Sequence, residues 1–172
     1  MNRFVRKKMR IIIIIMLLPL LTVINCSYRQ KYSEPASRLT QEDNIKETIF
    51  RYFFQKTKVF TIPSARCVCF LCMGDNKEPS DDFMKRLNEY KPWVKKNSQC
   101  TISEQTGEVI DNETGKTGLL FQITSIKWLS DSEIEAEFYW YTANLDSRCY
   151  TIMVVIEGNK WTVKKIIQTS ES

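Results

Sequence analysis

The feature that most constrains the fold is a strict alternation of apolar and polar side chains over residues 133–141. The even positions are apolar, whereas the odd positions carry three glutamates followed by two tyrosines. Successive side chains of a β-strand point to opposite faces, so this segment is predicted to be a strand. Because only one of its faces is apolar, the strand is expected to lie in a sheet that packs against a core on one side.

The neighbouring segments predict an antiparallel meander around this strand. Clusters of turn-forming residues separate the apolar runs, and Gly158-Asn159 is typical of a two-residue hairpin turn. A loop is expected over residues 143–147, and the tail after residue 167 is polar. The predicted strands are 108–110, 119–129, 133–141, 148–157 and 161–167.

Upstream of the meander the pattern becomes helical. Thr40-Gln41-Glu42-Asp43 predicts the start of a helix that ends near residue 55. Residues 65–73 (ARCVCFLCM) predict a buried strand, and Pro79-Ser80-Asp81-Asp82 predicts a second helix that Pro92 ends. The predicted fold class is therefore α+β, with an N-terminal helix, a strand, a second helix and then a curved antiparallel β meander.

Three segments carry a resemblance to a known group of proteins. They are Ile126-Lys127-Trp128, the glutamate-rich strand 133–141, and Gly158-Asn159-Lys160-Trp161-Thr162-Val163. Together they resemble the cystatin/NTF2-like superfamily and, more narrowly, small bacterial envelope lipoproteins over roughly residues 40–170. The resemblance implies a curved sheet wrapped around a helix. The superfamily includes isomerases, dehydratases and non-enzymatic binders, so the resemblance does not by itself identify an activity.

The N-terminus has the layout of an export signal. Five Lys and Arg within residues 1–10 precede the uncharged run 11–24 (IIIIIMLLPLLTVI), which is short for a transmembrane helix. The run leads to Cys26, and an apolar run ending at a cysteine resembles a bacterial lipoprotein signal, in which that thiol is acylated. Asn25 departs from the small residue that such signals usually have there. There are two alternatives to a lipoprotein signal. One is an uncleaved signal anchor, and the other is ordinary signal cleavage nearby with Cys26 as a plain thiol.

This interpretation predicts a signal peptide over 1–25, a tether over 26–39 and one cystatin/NTF2-like domain over 40–172. The positive charge before the apolar run places the domain on the exported side of the membrane, periplasmic or at the cell surface. The expected membrane contact is an N-terminal lipid anchor. Without the five basic residues of the leader, 20 Lys and Arg face 20 Asp and Glu, which argues against a nucleic-acid partner.

The absence of His excludes histidine-dependent catalysis and histidine metal sites. Cys67, Cys69 and Cys72 resemble a metal motif in spacing, but a strand would point Cys72 away from the other two thiols. We therefore expect neither a metal nor a cofactor. In an exported protein disulfides become plausible, and the favoured bridge joins Cys100 and Cys149, although sequence does not determine connectivity.

Two sets of side chains are candidates for function. The first is Glu133, Glu135 or Glu137 as the general base of a small NTF2-like enzyme, which the position of these residues opposite the apolar face disfavours. The second is an aromatic ligand-binding surface formed by Trp128, Tyr139, Tyr141 and Trp161. We expect a non-catalytic binding domain whose partner is an envelope protein or a small hydrophobic ligand. A purely structural partner without a pocket is the third hypothesis.

Overall fold

A computed structural model describes residues 34–58, 67–74, 76–143 and 146–171. The chain divides into two compact units, Met1–Glu42 and Asp43–Ser172. In the first unit the structure describes the beginning of one helix, and all other described elements belong to the second unit. The predicted signal peptide, Asn25 and Cys26 lie outside the described residues.

The N-terminal helix α1 spans Glu34–Lys56 and begins six residues before the predicted start at Thr40. Pro35 is compatible with this earlier start because the first turn of a helix leaves its N–H groups unpaired in any case. The helix therefore includes part of the predicted tether. Within the second unit its apolar face is buried as the helical spacing predicts: Ile45, Ile49, Phe50, Phe53 and Phe54.

Among the described residues, eight strands form two sheets. The larger sheet has the order β2-β1-β5-β6-β7-β8, and β3 pairs with β4 in a separate hairpin. The strands are β1 (Val68–Met73), β2 (Val94–Lys96), β3 (Cys100–Ile102), β4 (Val109–Asp111), β5 (Gly118–Ser130), β6 (Glu133–Ala143), β7 (Asp146–Glu157) and β8 (Lys160–Glu171).

Strands β5 to β8 form the predicted antiparallel meander, so the α+β class with a curved, open sheet is confirmed. Two details differ from the sequence-based prediction. The segment 108–110, predicted as a strand of the meander, instead forms β4 of the separate hairpin with β3, while β1, whose orientation the sequence left open, joins the large sheet in parallel between β2 and β5. Strand β8 continues four residues beyond the predicted end at Ile167, because main-chain pairing with β7 does not require apolar side chains.

The second helix, α2 (Asp81–Lys85), starts where the sequence predicts and is shorter than expected. The Ser80 hydroxyl accepts a 3.1 Å hydrogen bond from the Phe83 N–H and caps the helix. The chain then continues as a 3-10 turn over Asn88–Tyr90. The residue before a proline avoids helical dihedral angles, and Lys91 is accordingly extended at ψ 145°.

The main core lies between α1 and one face of the large sheet, which we call the inner face. Phenylalanine rings fill it: Phe53 stacks on Phe138 with centroids 3.8 Å apart, and Phe50 contacts both Phe138 and Phe83 edge-on. Phe121 completes this cluster by packing against Phe54. The space between helix and sheet is thus occupied by side chains.

The opposite, outer face of the sheet is covered only in part. A second, smaller core around Val68, Phe70 and Val109 joins the β3–β4 hairpin to β1. In the meander, the outer-face glutamates are half-buried or exposed. Within residues 34–58, 67–74, 76–143 and 146–171, no helix combines the length and apolar character needed to span a membrane.

Candidate functional site

A groove of about 430 Å³ opens on the outer face of the sheet, across β5 to β8. This volume is in the range of small-molecule sites. Phe138 and Tyr150 also border it, although their side chains are buried in the inner core. The remaining lining residues are polar, with hydroxyl, carboxyl or thiol groups: Thr124, Glu137, Tyr139, Cys149, Thr151, Thr169 and Ser170.

Two β-bulges shape this groove. The register between β5 and β6 shifts between Ile123 and Ser125, which leaves Thr124 as the extra residue. The register between β7 and β8 shifts at Cys149/Tyr150, which leaves Thr169 as the extra residue. Bulges bend a strand and redirect side chains. Both extra threonines line the groove, so the irregularities in the sheet and the recess coincide.

Glu137 supplies the carboxylate of the groove. It lies opposite Ser125 on β5 and Thr151 on β7. The Ser125 hydroxyl donates a 3.2 Å hydrogen bond to Oε2 of Glu137, and the Thr124 hydroxyl lies 3.5 Å from the same oxygen. These hydrogen-bond donors are neutral, so they orient the carboxylate without compensating its negative charge.

Tyr139 supplies the aromatic ring of the groove. Its ring stacks on that of Tyr141 with centroids 6.1 Å apart, and Tyr141 donates a 2.6 Å hydrogen bond to the carbonyl oxygen of Gly107. Burial raises the pKa of Tyr139, an effect that a hydrogen bond to Ser147 partly offsets. The phenol therefore stays neutral at ordinary pH and can both donate and accept hydrogen bonds.

The four aromatic residues predicted to bind a ligand form two pairs on opposite faces. Trp128 and Trp161 pack edge-to-face, with centroids 5.7 Å apart, at the margin of the inner core. Tyr139 and Tyr141 lie on the outer face, where Tyr141 packs against the smaller core and Tyr139 lines the groove. The structure therefore does not bring the tryptophans and tyrosines into one surface.

The three glutamates that were candidates for a general base lie on the outer face, as the alternation predicts. Glu133 and Glu135 are half-buried and Glu137 is exposed. Of the three, Glu137 lines the groove.

The five described cysteines are free thiols, so the predicted bridge between Cys100 and Cys149 is not formed. Cys149 lies on β7 opposite Tyr139, in the groove. Cys100 packs against the smaller core, and its thiol donates to the carbonyl oxygen of Asn97 at 3.1 Å. Burial, with the charge of Asp111 as a second cause, raises the pKa of Cys100 to about 11.

Cys67 and Cys69 share the inner side of β1, whereas Cys72 does not belong to that cluster, in agreement with strand geometry. A hydrogen bond from the Cys69 thiol lowers the pKa of Cys67, and burial raises the pKa of Cys69. Across the parts of the chain that the structure describes, no three Cys, Asp or Glu side chains are grouped so that they would hold a metal ion.

Sequence reasoning identified Glu137 and Tyr139 among the groove residues and missed its threonines. An isolated threonine within a strand carries no signal that it occupies a bulge, because the register of two strands is a property of the pair. No protein family, curated protein or solved structure matches this chain.

Proposed function

We propose that this chain is a bacterial envelope lipoprotein, tethered to a membrane through an acylated Cys26, whose cystatin/NTF2-like domain binds a partner without catalysing a reaction. The observation that carries the binding proposal is the placement of the open space. The inner face is packed with phenylalanines, whereas the recess of about 430 Å³ lies on the outer face and is lined by hydroxyl groups.

The surroundings of the glutamates favour binding over catalysis. A glutamate that acts as general base at neutral pH needs an apolar pocket that raises its pKa. Glu137 is exposed and accepts a hydrogen bond from the Ser125 hydroxyl, so it does not lie in such an apolar pocket. This environment suits a carboxylate that recognises a ligand by charge and hydrogen bonding. The small NTF2-like enzyme thus stays the alternative.

The cystatin/NTF2-like assignment is part of the proposal. A helix that packs across an antiparallel meander of β5 to β8 supports it. In this proposal, the parallel strands β1 and β2 at one edge of the large sheet are an addition that is particular to this chain.

A photocrosslinking experiment on the full chain in its native host tests the binding function. A photoreactive amino acid replaces Thr169 in the groove or, as the matched control, Thr106 in the exposed turn between β3 and β4. We expect light-dependent adducts at position 169 and none at position 106. The mass of the adduct distinguishes a protein partner from a small molecule. Equal adduct formation at both positions, or none at either, would contradict the proposal.

A further inference from the structure

The polar lining of the groove has a charge pattern that selects among ligands. Its side chains include one carboxylate, that of Glu137, and no lysine or arginine. Hydroxyl groups surround the carboxylate: Thr124, Tyr139, Thr151, Thr169 and Ser170. An anionic ligand would meet a negative charge without a compensating cation, so phosphates and carboxylates are disfavoured here.

The charge of Glu137 is not neutralised by its neighbours in the sheet. Its direct cross-strand partners, Ser125 and Thr151, are uncharged, and Thr151 in turn lies opposite Ile167 on β8. The ion pairs formed among the described residues do not involve Glu137. Its hydrogen bonds come from hydroxyl groups, which supply no positive charge.

Glu135, two residues away on the same face, has a different environment. It lies opposite Lys127 on β5, and beyond its β7 neighbour Met153 the edge strand carries Lys165. Basic residues thus lie in register with Glu135 on strands to both sides of it. No basic residue lies in register with Glu137. Glu137, which has no basic residue in register with it, is the glutamate of this strand that lines the groove.

Tyr139 complements this charge. It follows Glu137 by two residues on the same strand face, a separation of about 7 Å along the strand. Its ring provides a face that attracts cations, and its hydroxyl is a neutral donor and acceptor. A protonated amine that contacts the Glu137 carboxylate would therefore have an aromatic face within reach and hydroxyl partners for its neighbouring polar groups.

We propose that the groove binds a small polar molecule in which a protonated amine is flanked by hydroxyl groups, with the ammonium on Glu137 and the hydroxyls on Thr151, Thr169 and Ser170. This inference rests on the proposed binding function and replaces the hydrophobic ligand expected from sequence with a cationic, hydroxylated one.

The test is a titration of the full chain with three molecules that share one ring and differ in charge. Glucosamine is cationic at mildly acidic pH, glucose is neutral and glucuronate is anionic. Binding is followed by isothermal titration calorimetry. We expect saturable binding of glucosamine that is at least about tenfold tighter than that of glucose, because hydrogen bonds to a charged group are the stronger ones.

Two matched variants locate the interaction. Glu137→Gln keeps the shape of the side chain, removes its charge and is expected to weaken glucosamine binding about tenfold or more. Glu135→Gln removes a charge from the same face outside the groove and is expected to leave binding unchanged. Thermal unfolding verifies that both variants are folded.

Equal affinity for glucosamine and glucose, a preference for glucuronate, or equal losses in the two variants would overturn this ligand class. If adducts form at position 169 while glucosamine fails in this way, the groove is a binding site for another kind of molecule. If no adducts form there, the binding function itself is wrong.

Discussion

The cysteine side chains differ strongly in their tendency to ionise, and this difference predicts their reactivity. A hydrogen bond from Cys69 lowers the pKa of the half-buried Cys67, whereas burial raises the pKa of Cys100 to about 11. Since the thiolate is the nucleophile, at about pH 9 only ~1% of Cys100 would be ionised. We expect iodoacetamide to modify Cys67 well before Cys100.

Mass spectrometry of tryptic peptides after timed alkylation measures this order. Raising the pH should accelerate the reaction of Cys100 up to its pKa, while the rate at Cys67 levels off at lower pH. Cys69 is fully buried and serves as the internal control that reacts only when the chain unfolds. Faster modification of Cys100 than of Cys67 would show that the two environments are assigned incorrectly.

At the scale of elements, a buried ion pair attaches the β3–β4 hairpin to the large sheet. Nζ of Lys95 on β2 lies 3.0 Å from both carboxylate oxygens of Asp111, which is fully buried at the end of β4. The Thr114 hydroxyl donates a further 2.7 Å hydrogen bond to Asp111. Burial alone would raise the pKa of Asp111, but these hydrogen bonds outweigh it and the pKa is lowered.

Removing this buried charge should destabilise the protein. Asp111→Asn removes the buried partner of the Lys95 ammonium and leaves it with the exposed Glu113, 2.6 Å away, so we expect a loss of up to about 3 kcal/mol in the free energy of unfolding. The control is Asp82→Asn, which breaks an exposed pair with Lys85 and should change stability far less, because solvent screens such a pair. Urea unfolding near neutral pH measures both values. Equal effects of the two variants would contradict the structural role of Asp111.

The Asp111 carboxylate also makes the free energy of unfolding depend on pH, and the lowered pKa gives the direction of this dependence. Because the folded pKa of Asp111 is below that of the unfolded chain, its contribution is fully present above the unfolded value of about 4. The contribution declines as the pH falls through the lowered folded pKa. The stability difference between wild type and Asp111→Asn should therefore narrow at strongly acidic pH, as measured by urea unfolding across a pH series.

The elements also show what sequence can predict. The alternation in β6 and the Gly158-Asn159 turn, where both residues have positive φ, are local signals, and both predictions are confirmed. The parallel insertion of β1 beside β5 depends on contacts between distant segments, which no local period encodes. The bulges at Thr124 and Thr169 likewise depend on pairing between separate strands. The meander was therefore predictable from the sequence, whereas the groove that its bulges form was not.

For the molecule as a whole, the distribution of charge along the chain bears on how the proposed lipoprotein would associate with a membrane. From residue 26 onward, 20 Lys and Arg balance 20 Asp and Glu, so no net charge draws this part of the chain to anionic lipids. In the proposed lipoprotein, membrane association therefore depends on the acyl group at Cys26. Replacing that residue should therefore abolish membrane association and leave the domain folded.

Intact-mass analysis of the chain extracted from its native membrane tests this dependence. We expect a chain that begins at Cys26 and carries a diacylglyceryl group, and we expect Cys26→Ala to abolish the lipid and the membrane association. The matched control, Cys149→Ala, removes a thiol of the folded domain and should leave the lipid in place. An unlipidated chain that retains residues 1–25 would instead identify a signal anchor, in which case Cys26→Ala would leave the protein in the membrane fraction.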